Sequence, residues 1–243
     1  RKRTGVFRGL GRHPRRPGRT RSGVDGAESL AARNVPRKRA DVVRPVSPRP
    51  AIADFMQKYP ALHIQLIMSD QQIDAVQEGF DVTLRIAELA SSTLVARRIA
   101  PARRAICAAP AYLAERGTPQ HPDDLRNHDC LAYGHLATGN QWKLTGPDGD
   151  HWIRIPWTLC SNNAEVLRDA AVRGHGIALL PTFIAGADLQ AGSLRSILTN
   201  YKAPEISIYA IYPQTRHLSV KVRIFIDFLI DRFGGRPYWD LVE

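Results

Sequence analysis

The chain changes character near residue 50, and that change decides which part of it is able to fold. Residues 1–50 carry 15 Lys or Arg against 3 Asp or Glu, a net +12, whereas the remaining 193 carry 19 against 20, a net −1. The formal +11 of the whole chain therefore resides in its first fifth. Such a basic total would point to nucleic acid as a partner. The near-neutral body carries no such signal, so the argument passes to the basic segment alone. That segment is rich in Arg, Pro and Gly. Stretches such as Arg12-His13-Pro14-Arg15-Arg16-Pro17-Gly18-Arg19 follow neither a helical nor a strand period. Too little apolar surface is available to offset the entropy of ordering, so residues 1–48 are expected to be a disordered tail. Runs such as Arg37-Lys38-Arg39 offer phosphate attraction without pattern.

From Pro48 onward the pattern is that of an α/β protein. The spacing predicts a helix over 51–58, ended before Tyr59-Pro60 because a residue preceding Pro avoids the helical region. A strand over 62–68, a helix over 71–78 stopped by Gly79, and a strand over 80–86 form a βαβ unit, which implies parallel pairing. Strands are expected at 94–99 and 104–108 on either side of Pro101. A helix follows at 110–116 with Pro at its first turn. Further on, the turn Gly146-Pro147-Asp148-Gly149 joins 142–145 to a long strand over 152–159. A helix over 163–173, a strand at 177–180, a helix over 181–187 and a strand over 206–212 follow. The last helix, 219–233, places Val222, Phe225, Leu229 and Phe233 on one face.

Chemistry-bearing motifs are absent. There is no G-x-S-x-G elbow, no H-E-x-x-H and no G-x-x-x-x-G-K-[ST] loop. His121, His128, His135 and His151 show no ligand spacing, so no metal and no cofactor are expected. Cys130 beside His128 lacks an orienting third group. Cys107, Cys130 and Cys160 form no C-x-x-C pair and read as small apolar residues in a reducing compartment. Trp152 and Trp157 read as packing residues rather than stacking platforms. No apolar run approaches the ~20 residues of a membrane span, and the tail lacks the apolar core of a secretory signal. A cytoplasmic protein without catalytic residues is the expectation.

Several phrases together resemble the effector-binding domain of LysR-type transcriptional regulators. They are PAIADFMQKYPALHIQL (50–66), EGFDVTLRI (78–86), LVARRIAPARRAICAAPAYLAERGTP (94–119), DLRNHDCLAY (124–133), the W-x-L-x-GPDG stretch (142–149), NNAEVLRDAAVRGHGIALLP (162–181), and RHLSVKVRIFIDFLIDRFG (216–234) followed by PYWD (237–240). The resemblance implies two Rossmann-like lobes joined by crossover strands, similar to type 2 periplasmic binding proteins. Lobe I would span about 49–100 and 213–240, and lobe II about 101–212. Ligands of open α/β sheets bind outside the carboxyl ends of strands, which here would face a cleft between the lobes.

The resemblance also nominates effector-contacting residues, each with a plainer reading. Ser69 and Asp70 follow a strand and either touch effector or cap a helix. Asn162 and Asn163 open a helix whose N–H groups suit a carboxylate, with Glu165 near a capping box. Ile86 and Glu88 flank Ala87 at a strand end. Pro101 and Phe183 line the cleft or simply pack at the hinge. The implied partners are a small-molecule effector such as a small organic acid and a second copy of the chain. DNA would be met only through the N-terminal helix-turn-helix module the family carries. Solute binding of the periplasmic type and nucleic-acid binding through the tail are the alternatives.

The family's first strand, of the form LRVSAP-x-SFG, is not found before Pro50. Residues Asn34–Arg44 (NVPRKRADVVR) can be encoded by DNA that, read one base later, gives TFRVSAPTSFG. The expectation is that residues 1 to about 48 are translated out of frame. The sheet would then lack a central strand and leave its neighbours' backbone groups unpaired.

Overall fold

A computed structural model describes residues 5–11, 49–69, 80–87, 95–134, 140–212, 219–234 and 237–240. The helix expected over 71–78 lies outside them. Among the described residues the strands form two five-stranded sheets and a hairpin. The first sheet has the order β2-β1-β3-β12-β4, with β1 Gly5–Gly11, β2 Leu66–Ser69, β3 Phe80–Ala87, β4 Val95–Ala102 and β12 Ile206–Tyr212. The second has the order β11-β5-β10-β6-β9, with β5 Arg104–Ala108, β6 Cys130–Tyr133, β9 Trp157–Ser161, β10 Ile177–Pro181 and β11 Arg195–Ile197. Strands β7 (Gln141–Gly146) and β8 (Gly149–Arg154) make the hairpin.

Of the basic tail, the described part is Gly5–Gly11, which joins the first sheet. Gly5–Gly11 lies between β2 and β3 and runs antiparallel to both. Strands β2 and β3 consequently run in the same direction, as the βαβ reading requires, but they are not neighbours. The slot between them presents two rows of backbone donors and acceptors. An extended segment from the basic tail fills it, so the predicted loss of strand pairing does not occur here.

The first core lies between this sheet and two helices. Helix α1 (Arg49–Lys58) places Ala51 and Phe55 on one face, and helix α5 (Val220–Phe233) supplies Val222, Phe225, Ile226, Leu229 and Phe233. The i, i+3, i+4 recurrence is what makes those side chains share a face. Phe55 meets the edges of Phe225 and Phe228, with ring centroids 5.1 and 5.2 Å away. Arg232 Nε donates to Asp54 Oδ2 at 2.9 Å over the same seam.

Both faces of the second sheet are covered, which explains why β10 reads as a continuous apolar run. Ile106, Ala108 and Cys130 point to one face, with Tyr112 and Leu113 of helix α2 (Pro110–Arg116), Trp142 and Ile153. Cys107, Leu131, Ala178 and Leu180 point to the other. There they meet Leu167 and Ala171 of helix α3 (Ala164–Val172) and Ala185 of helix α4 (Thr182–Ala191). Cys107 and Cys130 are fully buried, and burial pushes both thiols up to about 12. These two are buried as small apolar residues are, whereas Cys160, expected to be buried with them, is half-buried.

The strand expected over 152–159 is two strands. Pro156 interrupts it because proline has no N–H for a ladder. On one side β8 pairs with β7, and on the other β9 pairs in parallel with β6. Trp152 and Trp157 are not packing residues, being 57% and 42% exposed. Strand β11 carried no pattern long enough to be seen in advance. The return to the first sheet occurs at Ile206 rather than near residue 212, because all of β12 pairs with β3 and β4.

The C-terminal residues fasten one sheet system to the other. Trp239 is 4% exposed and sits between Phe233 of α5 and Phe183 of α4, with centroids 4.8 and 6.1 Å away. Replacing Trp239 with Ala removes the largest side chain of this seam, and the cost expected for a buried aromatic is about 3–5 kcal/mol. Urea unfolding should show a loss of that size. A change below about 1 kcal/mol would mean that the seam contributes little.

Candidate functional site

Strand direction sets where a ligand-binding edge lies. Strands β2, β3 and β4 run the same way, since β1 opposes β2 and β3 and β12 opposes β3 and β4. Their carboxyl ends therefore share one edge. Ala87 at the end of β3 pairs with Ser207, and Ser207 pairs in turn with Pro101 near the end of β4. In the second sheet β6, β9 and β10 are mutually parallel, and their carboxyl ends are Tyr133, Ser161 and Pro181. Pro181 pairs with Arg104 at the start of β5. The chain thus passes from Pro101, at the edge of one sheet, to Arg104, at the corresponding edge of the other, within three residues.

The edge of the second sheet is held by a compact set of hydrogen bonds. The N–H of Gly134 donates to the Ser161 carbonyl at 2.9 Å. Gly134 has φ +125°, a conformation that a side chain would oppose. Cys160 Sγ donates to the Gly134 carbonyl at 3.1 Å. Ser161 Oγ accepts from the N–H of Asn163 at 3.0 Å. Asn163 Oδ1 accepts from the N–H groups of Glu165 and Val166 at 3.0 and 3.2 Å, so Asn163 is the N-cap of α3. The capping role falls on Asn163 rather than on Asn162, and its carboxamide oxygen is committed to the helix. Asn162 is half-buried between Ser161 and the cap.

The other nominated residues separate. Pro101 lies at the crossover. Ile86, on β3 between Gly5 and Ile208, is half-buried and packs against the first core. Phe183 is 8% exposed and lies edge-on to Trp239. Ser69 ends β2, opposite Val6. Asp70 and Glu88 lie outside the described residues.

A cavity of about 690 Å³ opens beside the crossover, lined among others by Arg98, Pro101, Arg104, Ser196, Tyr201 and Glu205. Arg103 and Lys202 also line it, so basic groups predominate over the single carboxylate. Arg98 Nε donates to Ser207 Oγ at 3.1 Å, and an Arg104 guanidinium nitrogen donates to the Pro204 carbonyl. Among the described residues nominated from sequence, Pro101 alone lines this cavity. The arginines were present in the stretch read as RRIAPARR, but without the crossover nothing marked them as neighbours.

A second cluster was not anticipated. His121, Asp123, Asp148, His151 and Tyr201 converge where a 3-10 turn (Pro122–Asn127) meets the β7–β8 hairpin. His151 and His121 hold the Asp148 carboxyl down at about 2. Neither histidine carried ligand spacing because they are distant in sequence and joined only by the hairpin's return.

A family model described as LysR substrate binding domain matches residues 49–234. A curated HTH-type transcriptional regulator of Haemophilus influenzae is 38% identical over 173 residues, which is 71% of this chain and 60% of that protein. CrgA of Neisseria meningitidis serogroup B is 30% identical over 76% of this chain and 62% of its own length. The chain thus spans about three fifths of these relatives. Among solved structures, the full-length Vibrio cholerae virulence activator AphB is similar with TM-score 0.67 and 32% identity, over 76% of this chain and 63% of that one. The CrgA regulatory domain is similar with TM-score 0.69 and 29% identity, over 77% of this chain and 92% of that domain. With most of its length matched and its two-sheet fold shared, the chain belongs to the LysR substrate-binding domain family, the effector-binding regulatory domain of LysR-type transcriptional regulators.

Proposed function

We propose that residues 49–240 form a sensing unit that takes up a small organic acid at the crossover edge and passes its occupancy to an attached DNA-reading module. The observation that carries this reading is the meeting of two sets of strand ends within three residues, Pro101 to Arg104. A ligand there would touch both sheets and would favour whichever relative arrangement gives it more contacts. Basic side chains predominate nearby, with Arg98 and Arg104 on the cavity wall. The start of α3 adds the partial positive charge of a helix N-terminus. Both suit a carboxylate better than a cation. Asn162, Ser161 and Pro101 are the residues we assign to contact. Ser69, Asp70, Ile86 and Glu88 are the further contacts we assign, while Asn163 and Phe183 support the fold around the start of α3 and α4. No residue here supports a catalytic step in this reading, and a second copy of the chain is the expected protein partner.

A thermal-shift screen with small mono- and dicarboxylic acids tests it. At 100 times its dissociation constant a specific ligand stabilises the chain by about 2.7 kcal/mol. At least one acid should do so, and Asn162→Ala should weaken that acid at least tenfold while leaving the unliganded melt unchanged. A response to amines or neutral sugars instead of acids would overturn the assignment.

We also propose that residues 1 to about 48 are read out of frame. The slot between β2 and β3, filled here by an antiparallel segment, supports this, because a βαβ unit would fill it with a parallel strand. Resequencing the DNA for residues 1–50 and the region upstream should give TFRVSAPTSFG in the +1 frame, behind a helix-turn-helix. An alternate frame rich in stop codons would contradict it.

A further inference from the structure

His121 and His151 stand on different elements yet face one another edge to face, with ring centroids 4.9 Å apart. One ligand atom from each of His121, Asp123 and His151 lies within 4.8 Å of the other two. We propose that these three residues bind a divalent transition metal of the zinc class, with Asp148 as the carboxylate behind the imidazoles. The proposal is independent of the effector reading, since none of these residues belongs to the crossover edge.

Three observations support it. First, the donor set is that of a zinc site with open positions, two imidazoles and one carboxylate. Second, Asp148 lies 3.0 Å from Nε2 of each ring, through Oδ2 to His121 and Oδ1 to His151. A carboxylate in that place orients a ligating imidazole and raises its basicity. The His151 contact is less well aligned than the His121 one. Third, the backbone is locked around the cluster. Thr145 and Lys202 exchange two N–H···O bonds of 2.8 Å, and Tyr201 lies so close to Gly146 that a Cβ there would stand 2.3 Å from its ring. Asp124 Oδ2 accepts from the N–H groups of Gln120 and His121, each at 2.9 Å, which fixes the turn.

The contacts to be surrendered are few. His121 Nδ1 accepts from the N–H of Asp123 at 3.2 Å, and this bond yields if that nitrogen ligates. Asp123 Oδ1 accepts from Arg126 Nε at 3.2 Å, while Oδ2 stands 3.6 Å from His121 Nδ1. Closing from 4.8 Å to the spacing of a zinc sphere requires side-chain movement of the order of 1 Å at each ligand, given bonds of about 2.0–2.2 Å. The three side chains are partly exposed and free to make it. The bound metal would clasp the 3-10 turn to the hairpin.

Isothermal titration of the chelator-treated full chain with zinc chloride tests this. The expected result is one equivalent bound, lost in the His121→Ala/His151→Ala double variant and weakened at least tenfold in Asp123→Asn. Zinc should also raise the melting temperature of the parent chain and leave that of the double variant unchanged. Absence of stoichiometric binding overturns the proposal. So does one equivalent that survives in the double variant, because the metal would then sit elsewhere, for example on thiols. If the double variant fails to fold, Asp123→Asn decides alone, its carboxylate being exposed, and an unchanged affinity overturns the site.

Discussion

The buried carboxylate of Asp240 joins three separate segments of the architecture. Its side chain is 2% exposed. Oδ2 accepts from Arg103 at 2.7 Å, and Oδ1 accepts from Thr182 Oγ1 at 2.5 Å. Arg103 is the crossover residue and Thr182 opens α4, so one group ties the C-terminus, the crossing strand and the second sheet's edge. Taking a carboxylate out of water is costly unless its oxygens are bonded and its charge is matched. Here both conditions are met. The adjacent Trp239 adds apolar area to the same seam, and Gly186 lets the helix come so close that a Cβ would stand 2.8 Å from the Trp239 carbonyl oxygen.

This anchoring bears on how a sensor of this design works. The crossover can flex only if few bonds cross it, yet the two sheets must keep a defined relation for occupancy to be read. The seam at Trp239 and Asp240 supplies that relation, since it reaches α4, α5 and the crossover residue Arg103. A ligand with contacts on both edges then shifts the balance by its differential affinity, and by no more than that. The cap formed by Asn163 matters because it fixes α3 without help from a ligand. A ligand bound beside it, as proposed, would not have to order α3, which lowers the cost of binding.

Much of the body could be read from residues. The apolar face of α5 and the bounds of β12 follow from periodicity. The helix α2 start follows from Pro110, and the burial of Cys107 and Cys130 from residue type. What could not be read depends on contacts distant in sequence. Pro156 splits what looks like one strand, but only the parallel partner β6 shows that the halves belong to different sheets. Strand β11 is three residues long and carries no period. Trp152 and Trp157 resemble core residues by type, yet they lie on the hairpin and on an edge strand. Gly5–Gly11 has no strand signal of its own and pairs because the slot demands a partner. The N-cap at Asn163 was legible from its place before a helix, and the crossing near Pro101 from the strands on either side. The arginines of the crossover and the His121–His151 pair were not, since both arise from chain return.

The central claim is that one ligand engages the strand ends of both sheets across the crossover. Hydrogen exchange followed by mass spectrometry, with and without the acid that stabilises the chain most, tests it directly. The account predicts slower exchange in residues 98–104, 159–166 and 180–184 together, with little change at the far ends of the same strands. Protection confined to one sheet, or none at either edge, would contradict it.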